Sequence, residues 1–216
     1  MGHIPTPPEV PRQSEVRTVK SEDASHDLME QVLRKLAQPS KPSGRDGELV
    51  VDLGQINFIK LPKDWTEGTP QKGMVGNSLF REFTPTGKGD VVLCHYYRGR
   101  GMSDEDSKAF HALLAKPPHN LTAAELSATG DLLRDRANPQ DFSMTLARTE
   151  DLNGKRVLVI EGRFKEIQQD LYELFVDADS ANPGRFVQEI YFQAPKDDYI
   201  QYRKESLAAL QSIVWK

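Results

Sequence analysis

A chain of 216 residues, 38% hydrophobic and 28% charged, suits one globular domain with an appendage and can bury a sizeable core. Its formal charge of −4 argues against a nucleic-acid surface, which calls for a basic face. One cysteine, Cys94, excludes an internal disulfide and any zinc site built from cysteines alone.

Residues 1–24 carry Pro5, Pro7, Pro8 and Pro11 among polar neighbours, a composition that buries too little surface to offset ordering, so disorder is expected. No charged-then-apolar leader pattern and no run of about 18 apolar residues is present, so no membrane span is expected and the simplest address is cytoplasmic. Gly2 and Thr6 fit a myristoylation pattern only formally, because His3 and the prolines give it a poor context. From Ser25 to Gln38, Leu28, Val32 and Leu36 recur at helical spacing and predict a short amphipathic helix. Pro39-Ser40-Lys41-Pro42-Ser43-Gly44 isolates it as a linker. The expected division is therefore an appendage over 1–46 and a domain over 47–216. The helix is expected either to dock back on that domain or to serve a partner.

The domain opens with short strands at Glu48–Leu53 and Ile56–Leu61, the second ended by a proline turn through Trp65. Asn77–Phe83 and Asp90–Tyr97 read as a hairpin around Pro85-Thr86-Gly87-Lys88-Gly89. The period then switches to 3.6. Ser103 caps a helix whose first turn holds Asp104, Glu105 and Asp106, and Pro117-Pro118 stops it. Thr122-Ala123-Ala124-Glu125 is a capping box for a second helix reaching Leu133. Phe142, Met144 and Leu146 alternate as a one-faced strand, and Asn153-Gly154 predicts a tight hairpin. Val157-Leu158-Val159-Ile160 is apolar on both faces and predicts a central strand covered above and below. Tyr172–Val176 and Arg185–Gln193 form the next pair, and a helix over about Asp198–Gln211 closes the domain.

Chemistry is harder to find. Cys94 stands in an apolar run and reads as a small buried hydrophobe. His95, His111 and His119 are the candidates for a metal or acid–base site, yet no H-x-x-x-H spacing supports them. Thr86-Gly87-Lys88-Gly89 precedes a strand, whereas a phosphate cradle opens a helix. Asn120-Leu121-Thr122 is a sequon whose threonine serves better as a helix cap. Tyr97, Arg98 and Arg100 put an aromatic ring and two guanidinium groups at a strand end, chemistry that suits an anionic ligand or an acidic partner surface.

Three stretches carry a resemblance: Ile59-Lys60-Leu61-Pro62-Lys63-Asp64-Trp65, Gly154 to Gly162, and Tyr191-Phe192-Gln193-Ala194-Pro195. With Tyr199 and the closing Leu210-Gln211-Ser212-Ile213-Val214-Trp215, they make residues 56–216 similar to the Mog1/PsbP-like group. That resemblance implies an α+β fold, an antiparallel sheet with helices on both faces, and an accessory role among other proteins. It supplies no site motif to carry over. The expected function is thus a non-enzymatic adaptor or immunity-type binder without a cofactor. The partner-binding candidates are Leu28, Val32, Leu36, Tyr97, Arg98 and Arg100. The alternative is a small metal-dependent or small-molecule-binding enzyme using His95, His111 and His119.

Overall fold

The computed structural model describes residues 48–50, 55–68, 71–72, 79–96, 99–178 and 185–216. The expected helix with Leu28, Val32 and Leu36 lies outside the described residues, as do Tyr97 and Arg98. Strand β1 (Glu48–Val50) pairs with β2 (Ile56–Lys60), followed by β3 (Trp65–Glu67), β4 (Gln71–Lys72), β5 (Leu79–Pro85), β6 (Val92–Tyr96) and β7 (Arg100–Gly101). The helical insert comes next: α1 (Asp104–Leu114), α2 (Ala123–Ala128), α3 (Gly130–Leu133) and a 3₁₀ turn over Arg134–Ala137. Four long strands follow, β8 (Phe142–Leu152), β9 (Lys155–Phe164), β10 (Gln169–Asp177) and β11 (Phe186–Pro195), then α4 (Lys196–Gln211) and β12 (Val214–Trp215).

Local chemistry explains the boundaries. Ser103 Oγ accepts from Asp106 N at 3.0 Å and caps α1. The capping box at Thr122 and Glu125 is complete. Asn153 and Gly154 take φ of 51° and 83°, the left-handed pair that a two-residue hairpin between β8 and β9 requires. Asn153 then donates to the carbonyls of Gln211 and Ile213 at 2.8 and 2.7 Å, tying that turn to the end of α4.

Among the described residues the main sheet runs β3-β5-β6-β11-β10-β9-β8, with β4 also on β5 and β7 also on β11. Every pairing is antiparallel. Alternation splits β9 between two layers. Leu158 and Ile160 join Phe110, Leu113, Leu132 and Leu133 of the insert, with Leu171, Phe175 and Val187 of β10 and β11. On the opposite face α4 packs against β11 and β10, Tyr199 stacking on Phe192 at 5.0 Å between centroids. The chain is therefore α+β, with an antiparallel sheet covered by helices on both faces, as expected.

Four details differ from the sequence reading. Val157–Ile160 is buried on both faces, but β9 stands one strand in from the β8 edge rather than at the centre. Cover on both faces, not position in the sheet, makes it apolar on both sides, the insert lying over Leu158 and Ile160. Trp65, expected to finish a turn, begins β3, whose residues pair with Phe83–Pro85. The second helix breaks at Thr129, whose hydroxyl bonds back to Glu125 O at 2.9 Å, and restarts at Gly130. Finally, β12 pairs with β2, so that a second sheet of order β1-β2-β12 joins distant parts of the chain. Ser212 Oγ accepts from Lys60 N across 152 positions of sequence.

Gly162 marks a close approach. A Cβ added there would lie 2.5 Å from the Phe142 ring and 2.5 Å from the Ser143 carbonyl oxygen, beside the β8 bulge between Met144 and Leu146. Gly162→Ala is expected to destabilise by about 1–3 kcal/mol, because a backbone oxygen must move as well as a ring. Urea unfolding with an unchanged m-value would check it, and a neutral result would show that the β8 bulge yields freely.

Candidate functional site: a buried charge network beside a groove

Glu173 stands in the run Leu171-Tyr172-Glu173-Leu174-Phe175-Val176, whose residues are all buried. Its side chain points toward the insert, on the same strand face as Leu171 and Phe175. A carboxylate there requires a partner. Arg136 of the 3₁₀ turn supplies it as a fork: Nε and Nη2 each donate to a Glu173 oxygen at 2.8 Å. Glu173 is 0% exposed and Arg136 15%. Burial pushes the Glu173 carboxyl up from its ordinary range, while Arg136 pulls it back down. Arg136 also lies over the Phe164 ring, 5.6 Å from the centroid.

Glu189 sits diagonally from Glu173 on β11 and takes a second arginine. Arg100 Nε donates to Glu189 Oε1 at 2.8 Å and Nη2 to the Leu132 carbonyl at 2.6 Å. Arg100, expected at a free partner-facing edge, is thus turned inward to fasten the insert to the sheet. Arg134, which follows α3 and opens the 3₁₀ turn, takes φ 54° and ψ −125°, a conformation that side-chain-bearing residues rarely adopt. The sharp bend delivers Arg136 over β10.

Beside this network runs a half-open groove of about 590 Å³. Leu126 of α2, Leu133 of α3, and Phe142 and Met144 of β8 line it, with Arg136 and Lys165 as its cations. Its lining includes no aspartate or glutamate. Lys165 Nζ donates to the Pro139 carbonyl at 2.6 Å.

His111 and His119 take separate partners. His95 sits in β6 opposite Ile190. His111 Nδ1 lies 3.9 Å from Asp177 Oδ2 at the end of β10. His119 meets Glu125 Oε1 at 3.0 Å and Thr149 Oγ1 at 3.2 Å. That Thr–His–Glu line resembles a nucleophile relay only in outline, since Thr149 is 1% exposed and its hydroxyl accepts from the His119 backbone N–H. Among the described residues no group of three or more His, Cys, Asp or Glu side chains is placed to hold a metal. Burial drives the Cys94 thiol far up, away from thiolate chemistry.

Glu125 is a structural hub of this corner. Lys116 Nζ donates to it at 2.6 Å, and Thr122 N and Oγ1 each donate at 2.8 Å. The Lys116 bond first, then those of Thr122 and His119, hold its carboxyl far below the usual range. A depressed folded-state value adds stability above the unfolded carboxylate pKa and loses it as pH falls. Glu125→Gln is therefore expected to melt below the parent at pH 7, with the gap closing in acid and shrinking at high salt. A gap independent of pH would assign the effect to lost packing.

Sequence reasoning missed Glu173, Glu189 and Arg136. The signal was available for the first two: each is the one carboxylate within a run of buried residues, Leu171–Val176 for Glu173 and Val187–Ile190 for Glu189.

No family model matches the chain, and no curated protein matches it. Among solved structures it is similar to the cyanobacterial PsbP protein (CyanoP) of Synechocystis sp. PCC 6803, seen in a solution structure. That alignment has a TM-score of 0.47 at 10% sequence identity, covering 83% of this chain and 99% of the other.

Proposed function

We propose that this chain is a non-enzymatic binding or accessory protein, of the adaptor or immunity kind, acting through protein–protein contacts. The observation that supports the reading is the groove: an apolar floor with cations along it, beside an insert held on the sheet by the Arg136–Glu173 ion pair and by the Arg100 bond to the Leu132 carbonyl. A rigid receptive surface of this kind serves recognition. The neighbouring charged side chains are held in structural pairs, Arg136 with Glu173 and Arg100 with Glu189. Cys94, a buried free thiol, suits a reducing compartment, and the cytoplasm is the address that goes with this reading.

Co-purification of the full chain from its native source tests the proposal. One protein recovered in stoichiometric amount and released by salt is the expected result. A chain that comes down alone at every salt concentration would overturn it. So would stoichiometric zinc or manganese lost on His111→Ala or His119→Ala, which would favour the metal-dependent alternative.

A further inference from the structure

We propose that the groove between α2, α3 and β8 receives a short acidic and apolar segment of a partner protein, its carboxylate placed at Arg136 and Lys165. This names the partner chemistry of the binding reading above and rests on it.

Charge complementarity carries the choice. The whole chain is net negative, yet the groove lining holds Arg136 and Lys165 and no acid; Glu173 behind the lining meets the charge of Arg136 and leaves that of Lys165 uncompensated among the described residues. Glu173 occupies Nε and Nη2 of Arg136, while Nη1 makes no hydrogen bond to another described residue. That guanidinium is also immobilised by its fork and by the Phe164 ring, so an arriving carboxylate meets a donor that loses little rotamer freedom on binding. Lys165 Nζ bonds a neutral carbonyl and has no carboxylate within ion-pair distance among the described residues. Its remaining donors and its charge are available at the rim.

Shape decides between a segment and a small molecule. The groove is open to solvent rather than enclosed, whereas a compact ligand usually has most of its surface buried. An extended segment needs cover on one side only. Half-buried Leu126 and Met144, backed by the buried Leu133 and Phe142, would take its apolar side chains, with the flexible thioether of Met144 adapting to their shape.

The test is selection of displayed random heptapeptides on the full chain, then titration of the best binder into isotopically labelled protein. The expected pool is enriched in Asp or Glu beside Leu or Phe, and its binder shifts the amides of Ser127, Gly130 and Ser143. Exposed Lys165 can be changed without risk to the core. Lys165→Glu should weaken binding by about tenfold or more, and raising salt should weaken it steadily. No enrichment, a neutral or basic pool, or shifts confined to another surface would overturn the proposal. Tighter association with phosphatidylserine vesicles than with any selected peptide would overturn it in favour of a lipid surface. If a co-purified partner stays bound to Lys165→Glu and to Met144→Asp, the binding reading stands and the groove assignment falls. If neither partner nor peptide binds, both fall.

Discussion

Glu173→Ala is expected to cost about 3–5 kcal/mol of folding stability, a large share of the total available to a domain of this size. The loss comes mostly from what remains: Arg136, 15% exposed, would keep its charge beside the core with no carboxylate to meet it. A second substitution makes the argument testable. Replacing both partners, Glu173→Leu with Arg136→Met, should recover most of the loss, because a buried pair often contributes little beyond a well-packed apolar substitute. The converse single change has a pH signature. In Arg136→Met the buried Glu173 loses the group that pulls its carboxyl down, so its folded-state value rises further above the unfolded one. A raised value gives stability that is fully present below the unfolded carboxyl pKa and is lost as pH rises through the folded one. That variant should therefore lie closest to the parent in acid and furthest from it above neutrality. Chemical denaturation across pH would read both effects. A Glu173→Ala loss under about 1 kcal/mol would mean that the 3₁₀ turn releases Arg136 to water at little cost.

The second large effect is expected at Ile160. It is 0% exposed and meets the insert's core cluster from β9. Truncation to alanine should cost about 2–5 kcal/mol, through lost burial and the cavity left among side chains held on two sides. The position of β9 beside the β8 edge does not reduce this figure, because α1 and α3 cover the strand there and water does not reach it. A loss below about 1 kcal/mol would show that the insert collapses into the gap and is more loosely seated than its contacts suggest.

Features governed by neighbours in sequence were legible from the residues. The Ser103 cap, the Thr122–Glu125 box and the Asn153-Gly154 turn are each written within four positions, and each formed as read. The two-faced burial of Val157–Ile160 was legible for the same reason, since unbroken apolarity needs no partner to be named. Strand order was not. Nothing local distinguishes a central strand from one beside the edge when a helical layer covers both. The charge network was hidden by distance, with 37 positions between Arg136 and Glu173 and 89 between Arg100 and Glu189. Arg100 illustrates the difficulty: an arginine at a strand end suggests an outward fork, and only the Glu189 carboxylate, supplied by a distant strand, turns it inward. The groove combines both problems, being made where α2, α3, β8 and the turn after β9 meet.

The pairing of β2 with β12 also bears on how the chain is made. Synthesis delivers the β8 to β11 hairpins in order, each able to close as soon as its own turn is complete. Strand β2 appears far earlier, yet the partner for one of its edges is made only after β3 to β11. Until then that edge presents unpaired N–H and C=O groups, the condition under which nascent strands recruit foreign ones. Closing this seam ends that exposure, and Lys216 N, which donates to Gln55 O at 2.8 Å, helps to close it.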